Sequence, residues 1–140
     1  MSEPLKQVAA LPVVETEEGP LILLITTRGR GLWTIPKGWP NSGMSDRAMA
    51  AKEAAEEAGV SGKIGKSPIG YFVYTKRLHF YSWVKCIVDV FMLCVKTHEL
   101  DWQEKDARKV RWASPEEAAA LVSDSELASL LRNVFHLEAA

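Results

Sequence analysis

Gly38-Trp39-Pro40-Asn41-Ser42-Gly43-Met44-Ser45-Asp46-Arg47-Ala48-Met49-Ala50-Ala51-Lys52-Glu53-Ala54-Ala55-Glu56-Glu57-Ala58-Gly59-Val60 joins a loop of Pro, Gly and Asn to a run without helix breakers. Arg47 to Ala58 holds no Gly or Pro and predicts a helix. Ser45 supplies an N-cap hydroxyl, Asp46 suits the positive end of the dipole, and Gly59 stands where a C′ glycine closes a helix. Ala50, Ala51, Ala54, Ala55 and Ala58 give this helix a small-residue side suited to close packing on a sheet. Glu53, Glu56 and Glu57 are related by i+3 and i+4, so their carboxylates share one face.

Such a trio can be a solvated face on which Lys52 pairs with Glu56 at i+4. Two costs oppose that reading. Like charges at this spacing cost roughly 0.2–0.5 kcal/mol per pair, and these lie toward the helix C-terminus, where the dipole disfavours anions. A hard divalent cation turns both costs into attraction. Mg²⁺ takes oxygen ligands, keeps several waters and binds through a few carboxylates together with substrate phosphates. Cations on such a face suit in-line attack on a pyrophosphate by a metal-activated water.

Outward from this segment the chain reads as strands around helices. Val8–Val14 and Leu21–Thr26 flank Glu15-Thr16-Glu17-Glu18-Gly19-Pro20 and predict a β-hairpin. Leu32–Ile35 predicts a short strand, and Pro36–Gly43 a constrained loop. Beyond Gly59 comes a Gly/Lys/Ser/Pro-rich connector, then strands at Ile69–Lys76 and Tyr81–Val95, a polar loop from His98 to Arg108, and a strand at Val110–Ala113. Ser114-Pro115-Glu116-Glu117 carries the signature of a helix start, and Leu127, Leu130, Leu131 and Val134 follow helical spacing. The expected class is α/β, with residues 1–140 as one domain.

Composition narrows the chemistry. Of 140 residues 47% are hydrophobic and 25% charged, which excludes a disordered chain or a coiled coil. Seventeen basic residues stand against eighteen acidic ones, a formal net charge of −1. No long-range field draws the chain to nucleic acid or an anionic membrane, so an anionic ligand must be held by local cations or a metal. Cys86 and Cys94, eight apart in one apolar run, are too distant for a disulfide within a strand and read as buried thiols of a reducing compartment. The start Met1-Ser2-Glu3-Pro4 has no leader pattern and no run approaches a membrane span, so a cytoplasmic location and no membrane partner are expected.

The segment resembles the Nudix box, G-x5-E-x7-R-E-U-x-E-E-x-G-U with U a bulky aliphatic: spacing is kept throughout, and Gly38, Glu53, Glu56, Glu57, Gly59 and Val60 match. The resemblance implies a Nudix α/β/α sandwich with a mixed β-sheet, and hydrolysis of a pyrophosphate bond with Mg²⁺ or Mn²⁺. It implies Glu53, Glu56, Glu57 and the Gly38 carbonyl as metal ligands, with Glu53 also acting on the attacking water. Three positions depart from the pattern. Lys52 replaces the arginine that buttresses the glutamates, keeping charge but not the planar fork. Ala54 is smaller than the usual aliphatic. Met44 replaces the first glutamate, which in the family supports the metal site; Asp46 stands close enough to substitute for it.

Trp33-Thr34-Ile35-Pro36-Lys37-Gly38, Glu56 through Gly65, Asp101-Trp102 and Val110-Arg111-Trp112 resemble the diphosphoinositol and diadenosine polyphosphate phosphohydrolases within that family. This implies a small-molecule polyphosphate as partner. Arg28 and Arg30 in a glycine-rich turn, Lys37 beside the box glycine, and Lys76 and Arg77 in a second loop are candidates to hold it, the alternative being solubilising charges. Trp39 and Trp102 are candidates to stack on a base; Trp33, Trp83 and Trp112 read as core or half-buried. His79 reads as a strand-end residue, and Glu104 and Asp106 as a solvated loop whose carboxylates are reserve candidates for a metal or general base. Two alternatives stand beside hydrolysis of small molecules: a Nudix-fold binding or sensor domain, motivated by Met44 and Lys52, and a 5′-end RNA pyrophosphohydrolase. Near-zero charge and no visible aromatic-rich basic patch speak against nucleic acid. The chain is expected as a monomer or homodimer.

Overall fold

The computed structural model describes residues 3–138; Met1 and Ser2, part of the start read for a leader, lie outside them. In chain order the elements are β1 (Leu5–Thr16), β2 (Gly19–Thr26), β3 (Trp33–Thr34), β4 (Lys37–Gly38), α1 (Asp46–Ala58), β5 (Val60–Ile64), β6 (Gly70–His79), β7 (Ser82–His98), a 3₁₀ turn (Lys105–Ala107), β8 (Val110–Ala113), α2 (Pro115–Leu121) and α3 (Ser125–Val134). The strands form one mixed sheet. β1 and β7 run parallel, from Leu5 opposite Cys86 to Val13 opposite Cys94, and every other pairing is antiparallel.

Side-chain alternation along β1 divides the core in two. Val8 and Ala10 turn to one face, where Leu23, Ile25, Phe91 and Leu93 meet Met49, Ala50, Ala54 and Ala58 of α1. Ala9, Leu11 and Val13 turn to the other, with Ile22, Leu24, Phe72, Val88 and Val90 beneath Leu127, Leu130 and Leu131 of α3 and Ala118 and Ala119 of α2. The small-residue side of α1 is therefore real but narrower than expected: Ala51 is half-buried and Ala55 exposed, because 100° per residue turns them off the sheet.

The helix ends follow their residues. The Ala48 N–H donates to Ser45 Oγ at 3.2 Å, and Gly59 closes α1 at φ 71°, its N–H reaching Ala54 and Ala55 carbonyls. Ser114 and Glu117 form a reciprocal capping box at α2. Met44 packs against the α1 side of the core, and Asp46 is engaged by Lys6, so neither joins the acids of α1.

Several expectations are corrected. Lys37–Gly38 is a strand against Val8 and Ala9, not loop, and Val60–Ile64 forms β5 within the supposed connector because the second half of β7 offers it an edge. Lys76 and Arg77 lie within β6 rather than in a loop. Trp83 is exposed: the β6–β7 hairpin runs past the first β1 pairing at Cys86, so residues 75–85 pair only with each other. Cys86 is buried, but Cys94 is exposed.

Candidate active site

One cavity of about 490 Å³ collects residues from several segments of the chain, Gln7 of β1 and Thr34 of β3 among them. Alpha helix α1 contributes Glu53 and Glu57, β4 contributes Lys37 and Gly38 with Trp39 following, and β6 contributes Tyr74 and Lys76. Arg28 arrives from the turn after β2 and Arg108 from the loop before β8. Four cations thus face two carboxylates in a chain whose net charge is −1, the local positive field that an anionic ligand requires.

The Glu53 carboxyl group lies directly against Gly38, in the space a Cβ there would occupy. Backbone and carboxylate are thereby held side by side. Glu57 is buried, its Oε1 accepting from the Lys37 N–H at 3.3 Å and lying 3.8 Å from Arg108 Nη2. Burial, together with a hydrogen bond to Glu53, pushes the Glu57 carboxyl up to about 9 despite the Arg108 guanidinium. Burial also pushes the Lys37 ammonium down, against Glu57 and Asp124; its Nζ lies 5.1 Å from the Tyr74 ring centre. Tyr74 donates its hydroxyl proton to Gln7 Oε1 at 2.6 Å. Thr34, whose buried hydroxyl has no partner, also lines the cavity.

Glu56 stands apart. It is half-buried outside the lining and pairs with Lys52 at 3.0 Å, the i,i+4 bridge expected from sequence. Among the described residues no three carboxylate, imidazole or thiol groups form a preformed metal cage. The donor set nevertheless fits a hard cation: Glu53 and Glu57 both line the cavity, with the Glu53 carboxyl group against the backbone of Gly38. A site of two carboxylates that leaves waters in place suits Mg²⁺.

The loop after β7 adds Arg108 to the cavity lining, a residue the sequence reading of that loop did not single out. The loop caps α1: Glu99 N–H donates to the Gly59 carbonyl, Trp102 Nε1 to Glu57 and Glu104 N–H to Glu56, at 2.8, 3.2 and 3.0 Å. Trp102 lies against Gly59 and His98, outside the cavity lining. Glu104 is not solvated as expected: Arg108 Nε donates to it at 2.9 Å and Arg28 Nη2 lies 3.2 Å away, while Asp106 is exposed. Arg108 also donates to the Thr26 carbonyl at 3.0 Å, so one guanidinium joins β2, Glu104 and Glu57. The available signal was the spacing of Glu104 and Arg108, an i,i+4 pair within an otherwise irregular loop. Of the expected ligand-holding residues, Arg28, Lys37, Trp39 and Lys76 line the cavity. Arg30 borders a neighbouring depression, and Arg77 lies over the Phe80 and Trp83 rings.

Residues 5–134 match the family model described as the NUDIX domain. The chain belongs to the Nudix family. Members are hydrolases acting on phosphoric anhydrides. This Nudix chain is 27% identical over 124 residues to the bis(5′-nucleosyl)-tetraphosphatase [asymmetrical] of Sus scrofa, covering 87% of this chain and 82% of that protein. It is 28% identical over 116 residues to diphosphoinositol polyphosphate phosphohydrolase 2 of Rattus norvegicus, covering 81% and 60%. It spans roughly half the length of several Arabidopsis thaliana Nudix hydrolases that it also matches. The crystal structure of C. elegans Ap4A hydrolase superposes with a TM-score of 0.68 at 18% identity, over 96% of this chain and 98% of that one, a likeness of fold.

Proposed function

We propose that this Nudix chain is a Mg²⁺- or Mn²⁺-dependent pyrophosphohydrolase of a dinucleoside polyphosphate or diphosphoinositol polyphosphate. The observation that carries the reading is the juxtaposition in one cavity of the Glu53–Glu57 pair with Arg28, Lys37, Lys76 and Arg108. Carboxylates alone would repel a polyphosphate and cations alone would bind without cleaving; together they suit binding and charge neutralisation during anhydride cleavage. Trp39, partly exposed at the cavity wall, offers a ring to a base, which favours the nucleotide.

Glu53, Glu57 and the Gly38 carbonyl would hold the cation, and Glu56 would join once released from Lys52. When bound, the metal lowers the pKa of a water and offsets charge on the phosphoryl oxygens. Lys37 and Lys76 orient the phosphate chain as point charges, while Arg28 and Arg108 present forks. Glu53, against Gly38 at the cavity wall, is placed to accept a proton from the attacking water. Two unpaired thiols, one of them exposed, agree with a cytoplasmic site, and the protein acts as a monomer or homodimer. No helix among the described residues is long and apolar enough to cross a membrane.

A second reading has its own support: with Met44 in the core and Glu56 tied to Lys52, the domain binds polyphosphates without turning them over. Product release from a dinucleoside tetraphosphate with Mg²⁺ or Mn²⁺ decides between them. Turnover supports hydrolysis; ligand-induced thermal stabilisation without turnover supports the binding domain.

A further inference from the structure

Between Glu57 and Asp89 the chain contains five Lys or Arg residues and no carboxylate. Within that stretch the β6–β7 hairpin projects beyond β1, and it carries four exposed rings: Tyr71 at 63%, Phe80 at 78%, Tyr81 at 95% and Trp83 at 58%. Tyr74 and Lys76 of β6 face the cavity, so strand alternation turns Tyr71 and Arg77 to the opposite side. Arg77 and Trp83 are direct cross-strand partners there, and Lys85, two residues along β7, shares their face. The Arg77 guanidinium lies 4.9 Å from the Phe80 ring centre and 5.8 Å from that of Trp83. The net charge of −1 conceals this patch because the compensating acids lie elsewhere in the chain.

We propose that this outer face of the β6–β7 hairpin binds single-stranded nucleic acid, with bases stacking on Trp83, Phe80 and Tyr81 and phosphates held by Arg77 and Lys85. The chemistry is that of a stacking platform flanked by cations. A second copy of the chain is the poorer occupant: Asp89, the one carboxylate on the paired part of the hairpin, lies opposite Tyr71 and is engaged by Lys6 at 3.6 Å, so it is not free to meet Arg77 or Lys85 of another copy. Unpaired strands are favoured over duplex because the rings can stack only on bases whose faces are open. The hairpin segment from Thr75 to His79 spans about 13 Å, room for more than one nucleotide. The proposal is independent of hydrolysis in the cavity, since the ring-bearing face lies on the other side of the hairpin.

Fluorescence anisotropy with a labelled 5′-hydroxyl oligouridine 12-mer, in chelator so that no anhydride chemistry intervenes, tests this. Binding is expected with a log–log salt slope of about −2, as two to three released counterions give. It is expected to weaken at least about five-fold in Trp83→Ala and further in Phe80→Ala/Trp83→Ala, at unchanged Tm. The duplex of the same sequence is expected to bind more weakly. Absence of binding by the wild type, equal affinity for poly-glutamate, or insensitivity to the ring substitutions would overturn the proposal. So would a wild-type dimer that Trp83→Ala dissociates without any oligonucleotide binding, which would assign the face to self-association.

Discussion

Glu57 is where burial, charge and chemistry conflict most. A carboxyl with a pKa near 9 in the folded metal-free chain binds a proton that the unfolded chain, titrating near 4.5, gives up at neutral pH. The folded state therefore holds more protons between these values, and metal-free stability falls as pH rises from about 4.5 to 9. Glu57→Gln is expected to flatten that dependence and to raise Tm in chelator at pH 8; a Tm–pH slope unchanged from wild type would contradict the burial argument. Arg108 is the counterpart. Arg108→Ala removes the guanidinium shared by Glu57, Glu104 and the Thr26 carbonyl and is expected to cost about 1–3 kcal/mol. Arg108→Lys keeps the charge but not the fork, and turnover is expected to fall about 10–100-fold with a smaller loss of Tm, as for other partners that orient metal-binding groups. Equal turnover in Arg108→Lys and wild type would assign Arg108 to charge alone.

At the scale of elements, α1 and the loop over its C-terminal end behave as one unit. Gly59 holds a left-handed φ, and a Cβ there would strike the Trp102 ring. Gly59→Ala is expected to cost about 2 kcal/mol through backbone strain and a displaced indole, lowering Tm by about 4–8 °C. Because Trp102 anchors the loop bearing Glu104 and Arg108, activity is expected to fall as well. A Tm loss without any change in turnover would show that the loop does not position the site. α1 itself was legible in the sequence because its signals are local: Ser45, Gly59 and the glutamate spacing all act within a few residues. β4 and β5 were not, since Pro36 to Gly38 and Val60-Ser61-Gly62-Lys63-Ile64 have weak intrinsic strand preference and take it from β1 and β7. The reach of Arg108 to Glu57 was illegible for a related reason: the two lie about a third of the chain apart and meet only once the sheet has formed.

Across the whole molecule, the sheet sets cations from β4, β6 and two loops around acids from α1, and this division of labour explains why bulk charge misleads. The net charge of −1 gives no long-range field, so an anionic ligand needs local cations; the cavity lining supplies them, and the outer hairpin carries no acid between its turn and Asp89. Trp83 read as core or half-buried, but the first residues of the Tyr81–Val95 run lie beyond β1 and leave it exposed. The proposed metal role also makes a global prediction: a cation held by the folded cavity and not by the unfolded chain is expected to raise Tm with Mg²⁺ or Mn²⁺ concentration, by the equivalent of about 2.7 kcal/mol at one hundred times Kd. Glu53→Gln/Glu57→Gln is expected to abolish the rise. Retention of the shift in that variant would place the metal elsewhere.

The most direct measurement is the rate of dinucleoside tetraphosphate cleavage by wild type and Glu57→Gln, each with Mg²⁺ and with excess chelator. Cleavage by the wild type only in the presence of metal, and at least about 100-fold slower in the still-folded Glu57→Gln, is the expected result. Equal rates in the two proteins, or cleavage indifferent to chelator, would contradict the role assigned to the Glu53–Glu57 pair.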